Sequence, residues 1–195
     1  MKIVRYPHPS LRHAARPLAA IDEKVRTQAQ EMLDLMVEHK GLALAATQVE
    51  LPFRMIVMNV QAEGIQRDEV GVYFNPVILE RKGSVEGEEG CLSFPELFQK
   101  IRRAKTVRVQ AYNLKGEIID RVCNDLEARV WLHEIDHLDG ILFIDKMGPI
   151  ARLSSRSSLR KFENDFKKAQ ARGEIPPEAE IKKTLEALAA LEAPA

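Results

Sequence analysis

The sequence predicts an α+β fold in which antiparallel sheets pack around a central helix, with one helix near the N-terminus and a helical tail at the C-terminus. Three observations lead there. Apolar residues recur at helical spacing in two separate segments before residue 141. Between these segments lie short β-branched and aromatic runs bounded by turn residues. Beyond Gly148 the composition shifts to Arg, Lys, Ser and Glu in a helical rhythm that Pro176-Pro177 interrupts. Strands grouped before a late helix favour α+β over an alternating parallel arrangement.

Residues 5–20 carry prolines and arginines at short intervals and read as an irregular arm. From Asp22 to Lys40, Val25, Ala29, Met32, Met36 and Val37 recur at helical spacing, with Asp22 as cap and Gly41 as stop. GLALAATQVELP (41–52) is too small-sided for an ordinary strand, whereas RMIVMNV (54–60) reads as a buried one. QAEGIQRDE (61–69) is a surface loop, and GVYFNPVILE (71–80) a strand interrupted near Pro76. RKGSVEGEEG (81–90) is polar and Gly-rich, and reads as a loop leading into CLSFP. KTVRVQAYN (105–113), Leu-Lys-Gly and EIIDRV (117–122) form a β-hairpin. Glu127 to Gly140 is the central helix, ended by its glycine. Further helices are expected near 151–171 and 178–192, with a fraying end.

A chain of 195 residues fits one domain with a core large enough to need no staples. Charged residues balance at 29 of each sign, which argues against a dedicated nucleic-acid binder. No apolar stretch approaches a membrane span, and the N-terminus MKIVRYPHPSLRH lacks the apolar core of a signal peptide, so a cytoplasmic address is expected. In a reducing compartment the two cysteines, Cys91 and Cys123, are not expected to pair.

His133-Glu134-Ile135-Asp136-His137 is an H-E-x-x-H pattern on the predicted central helix. Spacing i, i+4 turns both imidazoles to one face within reach of one metal ion, and Glu134 lies beside them to handle a proton. Trp131, Ile135 and Leu138 fall on the opposite face as an apolar stripe. Leu126, Arg129, Val130 and His137 share the side of His133. Such a helix is buried on one side while a half-polar side looks into a cavity. Imidazoles and a carboxylate there need partners or a metal.

Metalloproteases with a third His six residues on would need one at Phe143, so that type is excluded. A type with a Glu about twenty residues downstream fares no better, since the first glutamate, Glu163, lies 26 positions past His137. The remaining soft donor is Cys91, readable as a ligand or a nucleophile. A lone cysteine is more often an inert buried hydrophobe, and that is the reading of Cys123.

Three segments together resemble the signature of the peptide deformylase family. GLALAATQ (41–48) resembles G-x-G-L-A-A-x-Q, EGCLSFP (89–95) resembles E-G-C-L-S-x-P, and HEIDHLDG (133–140) resembles H-E-x-D-H-L-x-G. Weaker likeness extends from about Val4 to Met147. The resemblance implies a catalytic domain over residues 1–150, with 151–195 a C-terminal helical extension whose end is disordered. It implies a metal-dependent amidase that removes the N-formyl group from the first methionine of new proteins and releases formate. One divalent metal, natively Fe²⁺ and replaceable by Zn²⁺, Ni²⁺ or Co²⁺, would be held by Cys91, His133 and His137. Glu134 would serve as general base, with the Leu92 N–H and the Gln48 amide holding the oxyanion. Gly41, Leu42, Ala43, Leu44, Glu89, Leu126 and Arg129 are expected to line the substrate pocket. N-formylmethionyl nascent peptides are the implied partners, with a transient ribosome contact through the basic C-terminal helix (Lys161, Lys167, Lys168, Arg172) and a monomeric state.

The chain departs from the family pattern at three places. Ala43 stands for a glycine, and its methyl is expected in the path of the substrate backbone. Leu132 stands for a glutamine before the first metal histidine, removing a hydrogen bond behind the metal. Phe98 stands where many bacterial members carry an arginine, while Arg103 matches a family arginine and Arg129 a common variant. Two other readings keep part of this pattern. One is a metal hydrolase acting on another N-acyl or amide substrate, and the other is a ribosome-associated relative without catalysis.

Overall fold

The computed structural model describes residues 1–59 and 71–191. The segment 61–69 and the last four residues, expected as a loop and a frayed end, lie outside them. In chain order the elements are α1 (Glu23–Glu38), β1 (Ala43–Ala45), β2 (Met55–Met58), β3 (Gly71–Lys82), β4 (Val85–Cys91), β5 (Phe94–Arg103), β6 (Thr106–Tyr112), β7 (Ile118–Asn124), α2 (Asp125–Leu138), α3 (Pro149–Ala171) and α4 (Glu178–Leu191). Single 3₁₀ turns cover Pro9–Arg12, Ala46–Val49 and Phe143–Lys146. The strands form an antiparallel sheet in the order β1-β2-β3-β6-β7 and a separate β4-β5 hairpin. The α+β expectation holds.

Period-two alternation decides what packs where. Ala43, Ala45, Ile56, Met58 and Tyr73 turn to one face of the sheet, where they meet Trp131, Leu132, Ile135 and Leu138 of α2. Leu44, Met55, Val57, Val72 and Phe74 turn to the other, where Val25, Ala29, Met32 and Met36 of α1 cover them. Each large side chain fully buried in this way contributes roughly 1.5–3 kcal/mol. The Trp131 ring lies 4.6 Å from that of Tyr73. The third core cluster joins Phe94, Leu97 and Ile101 of β5 to Leu142, Phe143 and Met147, and α3 packs onto it through Ala151, Leu159 and Phe162. The central helix therefore has the sheet on one side and the β4-β5 hairpin near the other.

Helix α1 starts as expected, with the Asp22 carboxylate accepting from the Val25 N–H at 2.8 Å. It does not stop at Gly41. Lys40 takes the left-handed conformation (φ 55°), its N–H bonding Val37 O while the Gly41 N–H bonds Met36 O. Val37, expected on the buried face, is exposed. Helix α2 ends at the glycine the sequence marks: Gly140 has φ 72°, and a Cβ there would sit 2.7 Å from the Arg12 carbonyl oxygen. The strand through Pro76 is irregular rather than broken, because its register shifts between Phe74 and Val77. Asn75 (φ 49°) uses the bulge to clamp Leu18, accepting from its N–H at 2.8 Å and donating to its carbonyl at 2.9 Å.

Two expectations for loops are corrected. The small-sided segment contains the strand β1, because Ala43, Leu44 and Ala45 pair with Met58, Val57 and Ile56. The Gly-rich stretch expected to be a loop is mostly strand β4. Gly83 (φ 67°) lies in the connection between β3 and β4, whereas the other two glycines mark close approaches: a Cβ on Gly87 would meet Arg129 at 2.7 Å, and one on Gly90 would meet the Phe98 ring at 2.4 Å. Helices α3 and α4 form as expected and fold back onto the body. Phe166 of α3 is buried, and Ile181, Leu185 and Ala189 of α4 pack beside the turn Pro9–Arg12. No helix of the described residues is long and apolar enough to cross a membrane.

The arm holds a buried imidazole, His8, whose Nδ1 accepts from the Ser10 N–H at 3.3 Å. Burial, aided by the charge of Lys2, lowers its pKa to about 4; Glu50, 3.5 Å away and partly exposed, does not offset this. The folded form therefore binds the proton more weakly than the unfolded chain, and stability present above pH 6.5 is lost as the pH falls toward 4. Urea unfolding at pH 5 is expected to show roughly 2 kcal/mol less stability from His8 than at pH 7. His8→Asn keeps an acceptor for Ser10 and should remove that part of the pH dependence; an unchanged slope would refute the assignment.

Candidate functional site

Helix α2 delivers two imidazoles from one face, and the end of β4 brings a thiol to meet them. The ligand atoms of Cys91, His133 and His137 all lie within 4.8 Å of one another, with Cys91 Sγ 3.2 Å from His137 Nε2. A tetrahedral ion with ordinary metal–sulfur and metal–nitrogen bonds holds such donors roughly 3.3–3.6 Å apart. The chemistry of the set also fits: one soft thiol and two borderline imidazoles suit a divalent transition metal. His133 Nδ1 is taken by Glu89 Oε2 at 3.1 Å, which leaves Nε2 to face Cys91 and His137. Among the described residues, these three form the group that could hold a metal ion.

Charge around the site favours a cation. Burial opposes a proton on His133, but its hydrogen bonds to Cys91 and Glu89 outweigh this and raise its pKa to about 10. Burial and the charge on His133 push His137 the other way, well below its ordinary value, so it stays a neutral donor. Behind them, Glu89 is the hub of a buried network. Burial alone would raise its pKa, yet hydrogen bonds from His133 and Arg103 hold it well below the usual carboxylate range. Arg103 grips both oxygens at 2.9 Å, and Arg129 Nη1 donates to Oε1 at 2.6 Å. Arg103 also reaches Asp136 on the outer side of α2.

Glu134, next to the first histidine, is buried with Oε2 unpartnered among the described residues. Burial pushes its pKa up to about 7, where a carboxylate can both take and return a proton near neutral pH. Gln48 sits in the 3₁₀ turn that follows β1 and is buried rather than at the surface. The Ala45 N–H donates to its Oε1 at 2.9 Å, which turns Nε2 toward Cys91 Sγ at 3.4 Å and Ser93 Oγ at 3.1 Å. Leu92 follows the thiol at the hairpin turn. Its Cδ1 comes within 2.8 Å of where a Cβ on Gly41 would be.

A cavity of about 580 Å³ opens over this centre. Gly41, Leu42, Ala43, Gln48, Glu89, Cys91, Leu92, Leu126, Arg129, His133 and Glu134 all line it. Leu44 does not. It is fully buried against α1, because strand alternation turns it away from its two alanine neighbours. His137 lies beneath the cavity floor, 1% exposed. Glu89 reaches the cavity wall with its carboxylate already engaged by three side chains, which makes it a support for the site.

The departures read differently in three dimensions. Ala43 and Leu132 belong to the same apolar cluster under the sheet, so both side chains fill core volume. An amide at position 132 would be buried among hydrocarbon. Phe98 lines the cavity mouth, 58% exposed, with its ring over Gly90. The N-terminal arm is the contribution that sequence reasoning missed. Val4 N–H bonds Gln48 O at 2.9 Å and Tyr6 N–H bonds Ser93 O at 3.0 Å, which places Ile3 and Arg5 in the cavity wall. No local signal marks this, because both bonds are long-range.

The family model described as polypeptide deformylase matches residues 1–153. A peptide deformylase of Rhodopirellula baltica is 42% identical over 181 residues, covering 93% of this chain and 90% of its own length. Among solved structures, peptide deformylase from Plasmodium falciparum superimposes with a TM-score of 0.80 at 34% identity, covering 85% of this chain and 97% of that one. The enzyme from Thermus thermophilus gives 0.76 at 38% identity, covering 84% and 97%.

Removing the hub should cost both stability and metal. Glu89→Ala strands two buried guanidinium groups and frees the His133 ring. It is expected to lower unfolding stability by about 3–5 kcal/mol. Metal affinity should fall about 10–100-fold. Denaturant titration and metal analysis of the purified variant check both; wild-type values for either would show that Glu89 is not the support described.

Proposed function

The chain belongs to the polypeptide deformylase family, and from that premise we propose that its cavity removes the formyl group from the N-terminal methionine of newly made proteins, releasing formate. Members of this family are metallohydrolases that act on formylmethionyl peptides. The observation that carries the reading is the convergence of Cys91, His133 and His137 with the buried Glu134 at the floor of one cavity.

Cys91 Sγ, His133 Nε2 and His137 Nε2 would hold the divalent ion. Bound there, it supplies a Lewis acid and lowers the pKa of a coordinated water. Glu134 takes the proton of the attacking water and passes it to the leaving amine. The Gln48 amide, turned by Ala45, and the N–H of Leu92 stabilise the oxyanion that forms on the formyl oxygen. The mouth is rimmed by exposed Leu42, Phe98 and Leu126, an apolar surroundings suited to an unbranched thioether side chain. Ala43 and Leu92 border the cavity, with the Ala43 methyl packed under the sheet. Gly41, Glu89 and Arg129 shape the wall without contributing to the proton transfers. Fe²⁺ is the proposed native ion, with Zn²⁺, Ni²⁺ or Co²⁺ as substitutes, because a thiol and two imidazoles suit all four.

We further place the enzyme in the cytoplasm, as a monomer, in transient contact with the ribosome through the exposed Lys161, Lys167 and Lys168 of α3. Arg172 adds less, since Glu174 already pairs with it at 2.6 Å.

Anaerobically prepared protein is expected to carry one divalent ion per chain and to release formate from formyl-Met-Ala-Ser. Glu134→Gln should keep the ion and lose at least about 100-fold in kcat; turnover surviving in that variant would sink the assignment of the base. A clear preference for acetyl over formyl peptides would instead favour a different N-acyl hydrolase. Air should inactivate the iron form through oxidation of Fe²⁺ and Cys91 and spare a nickel-substituted form. Co-sedimentation with ribosomes should weaken in a Lys167→Glu/Lys168→Glu double variant whose formate release is unchanged. Equal sedimentation would remove the ribosome contact from α3.

A further inference from the structure

We propose that substrate recognition continues past the catalytic cavity into a second groove, walled by α3 and the segment after it, which holds the formylated nascent chain from about its fourth residue onward. This inference rests on the deformylase reading above. The second groove encloses about 490 Å³. It shares Ile3, Arg5, Pro95 and Glu96 with the catalytic cavity, so the two meet along one ridge formed by the N-terminal arm and the start of β5. A peptide leaving the first cavity over that ridge reaches the second directly.

The far wall is built from Phe162, Asp165 and Phe166 of α3 and from Glu174, Ile175 and Pro176 after it. All of these lie beyond residue 153, where the family match ends. The far wall is therefore supplied by this chain's C-terminal extension.

The lining suits a chain of varied sequence. Apolar side chains at Phe162, Ile175 and Pro176 offer contact to any side chain. The charged rim carries both signs, Lys2, Arg5 and Lys161 against Glu96, Asp165 and Glu174, and so selects for neither. The walls are also preformed. Tyr6 Oη donates to Glu163 at 3.2 Å, tying the arm to α3. The Phe162 ring stands edge-on to Phe94, and Phe166 edge-on to His8, each pair with centroids 6.1 Å apart. A rigid groove binds without first being ordered, so added contacts appear as affinity. Both cavities fall within the range of about 300–1,000 Å³ that buries a small ligand, enough together for an extended segment of several residues.

The test compares formyl-Met-Ala-Ser with a formyl octapeptide that begins with the same three residues, using metal-loaded, full-length protein. The octapeptide should show about tenfold higher kcat/KM, carried by KM with kcat unchanged, because the groove binds ground state and transition state alike. Titration of Glu134→Gln with the two peptides should give the same ratio in Kd without turnover. Ala169 and Ile175 both line the groove; Ala169→Trp fills it and Ile175→Glu spoils its apolar wall. Each should bring the octapeptide to within about twofold of the tripeptide while tripeptide turnover stays at the wild-type level. Equal kcat/KM for the two lengths in the wild type, or a length advantage that survives both substitutions, overturns the groove. Absence of formate from either peptide instead overturns the deformylase reading itself.

Discussion

A thiol from a hairpin and two imidazoles from a helix have to converge within a few ångströms, and one buried carboxylate makes that possible. Glu89 sits two residues before Cys91 on β4. It binds Arg103 from β5, Arg129 from α2 and the first histidine ring. These contacts fasten the hairpin to the helix at the point where the donors must meet. Two guanidinium groups and a carboxylate taken out of water are costly unless each is fully paired, and here the pairing is complete from three directions. The same contacts fix which nitrogen of His133 is free. Packing of Trp131, Ile135 and Leu138 under the sheet sets where the helix lies; the ion-pair network sets where the hairpin lies upon it.

Much of this was legible in the sequence. The helices α1 and α2, the β6-β7 hairpin and the two C-terminal helices follow from apolar periodicity and from turn residues that act locally. The histidine pair is legible for the same reason, since i, i+4 geometry needs nothing from elsewhere in the chain. What the sequence hid depends on distant partners. Val85 to Cys91 has too few β-branched residues to announce a strand, and it becomes one only because β5 lies alongside. Gly87 and Gly90 look like turn signals, yet they are gaps left for Arg129 and Phe98. Leu44 was placed in the pocket with its neighbours because the motif was read as a block, while the strand sends alternate residues to opposite faces. Gln48 could pass for a surface amide until the long-range contacts at Cys91 and Ser93 are seen.

The two departures in the motifs illustrate how a position can be misjudged one residue at a time. A methyl at Ala43 suggests obstruction of the cavity, and a hydrocarbon at Leu132 suggests a missing hydrogen bond. Both side chains enter the same apolar cluster between sheet and α2. Seen together they add carbon to one side of that layer, where a polar group would need a buried partner. Phe98 is different in kind: it sits at the mouth and changes the surface a peptide meets.

The strap formed by residues 3–6 has a consequence for how the molecule comes into being. It crosses between the loop of Gln48 and the turn at Ser93, so both of its backbone hydrogen bonds can form only once the sheet and the β4-β5 hairpin have come together.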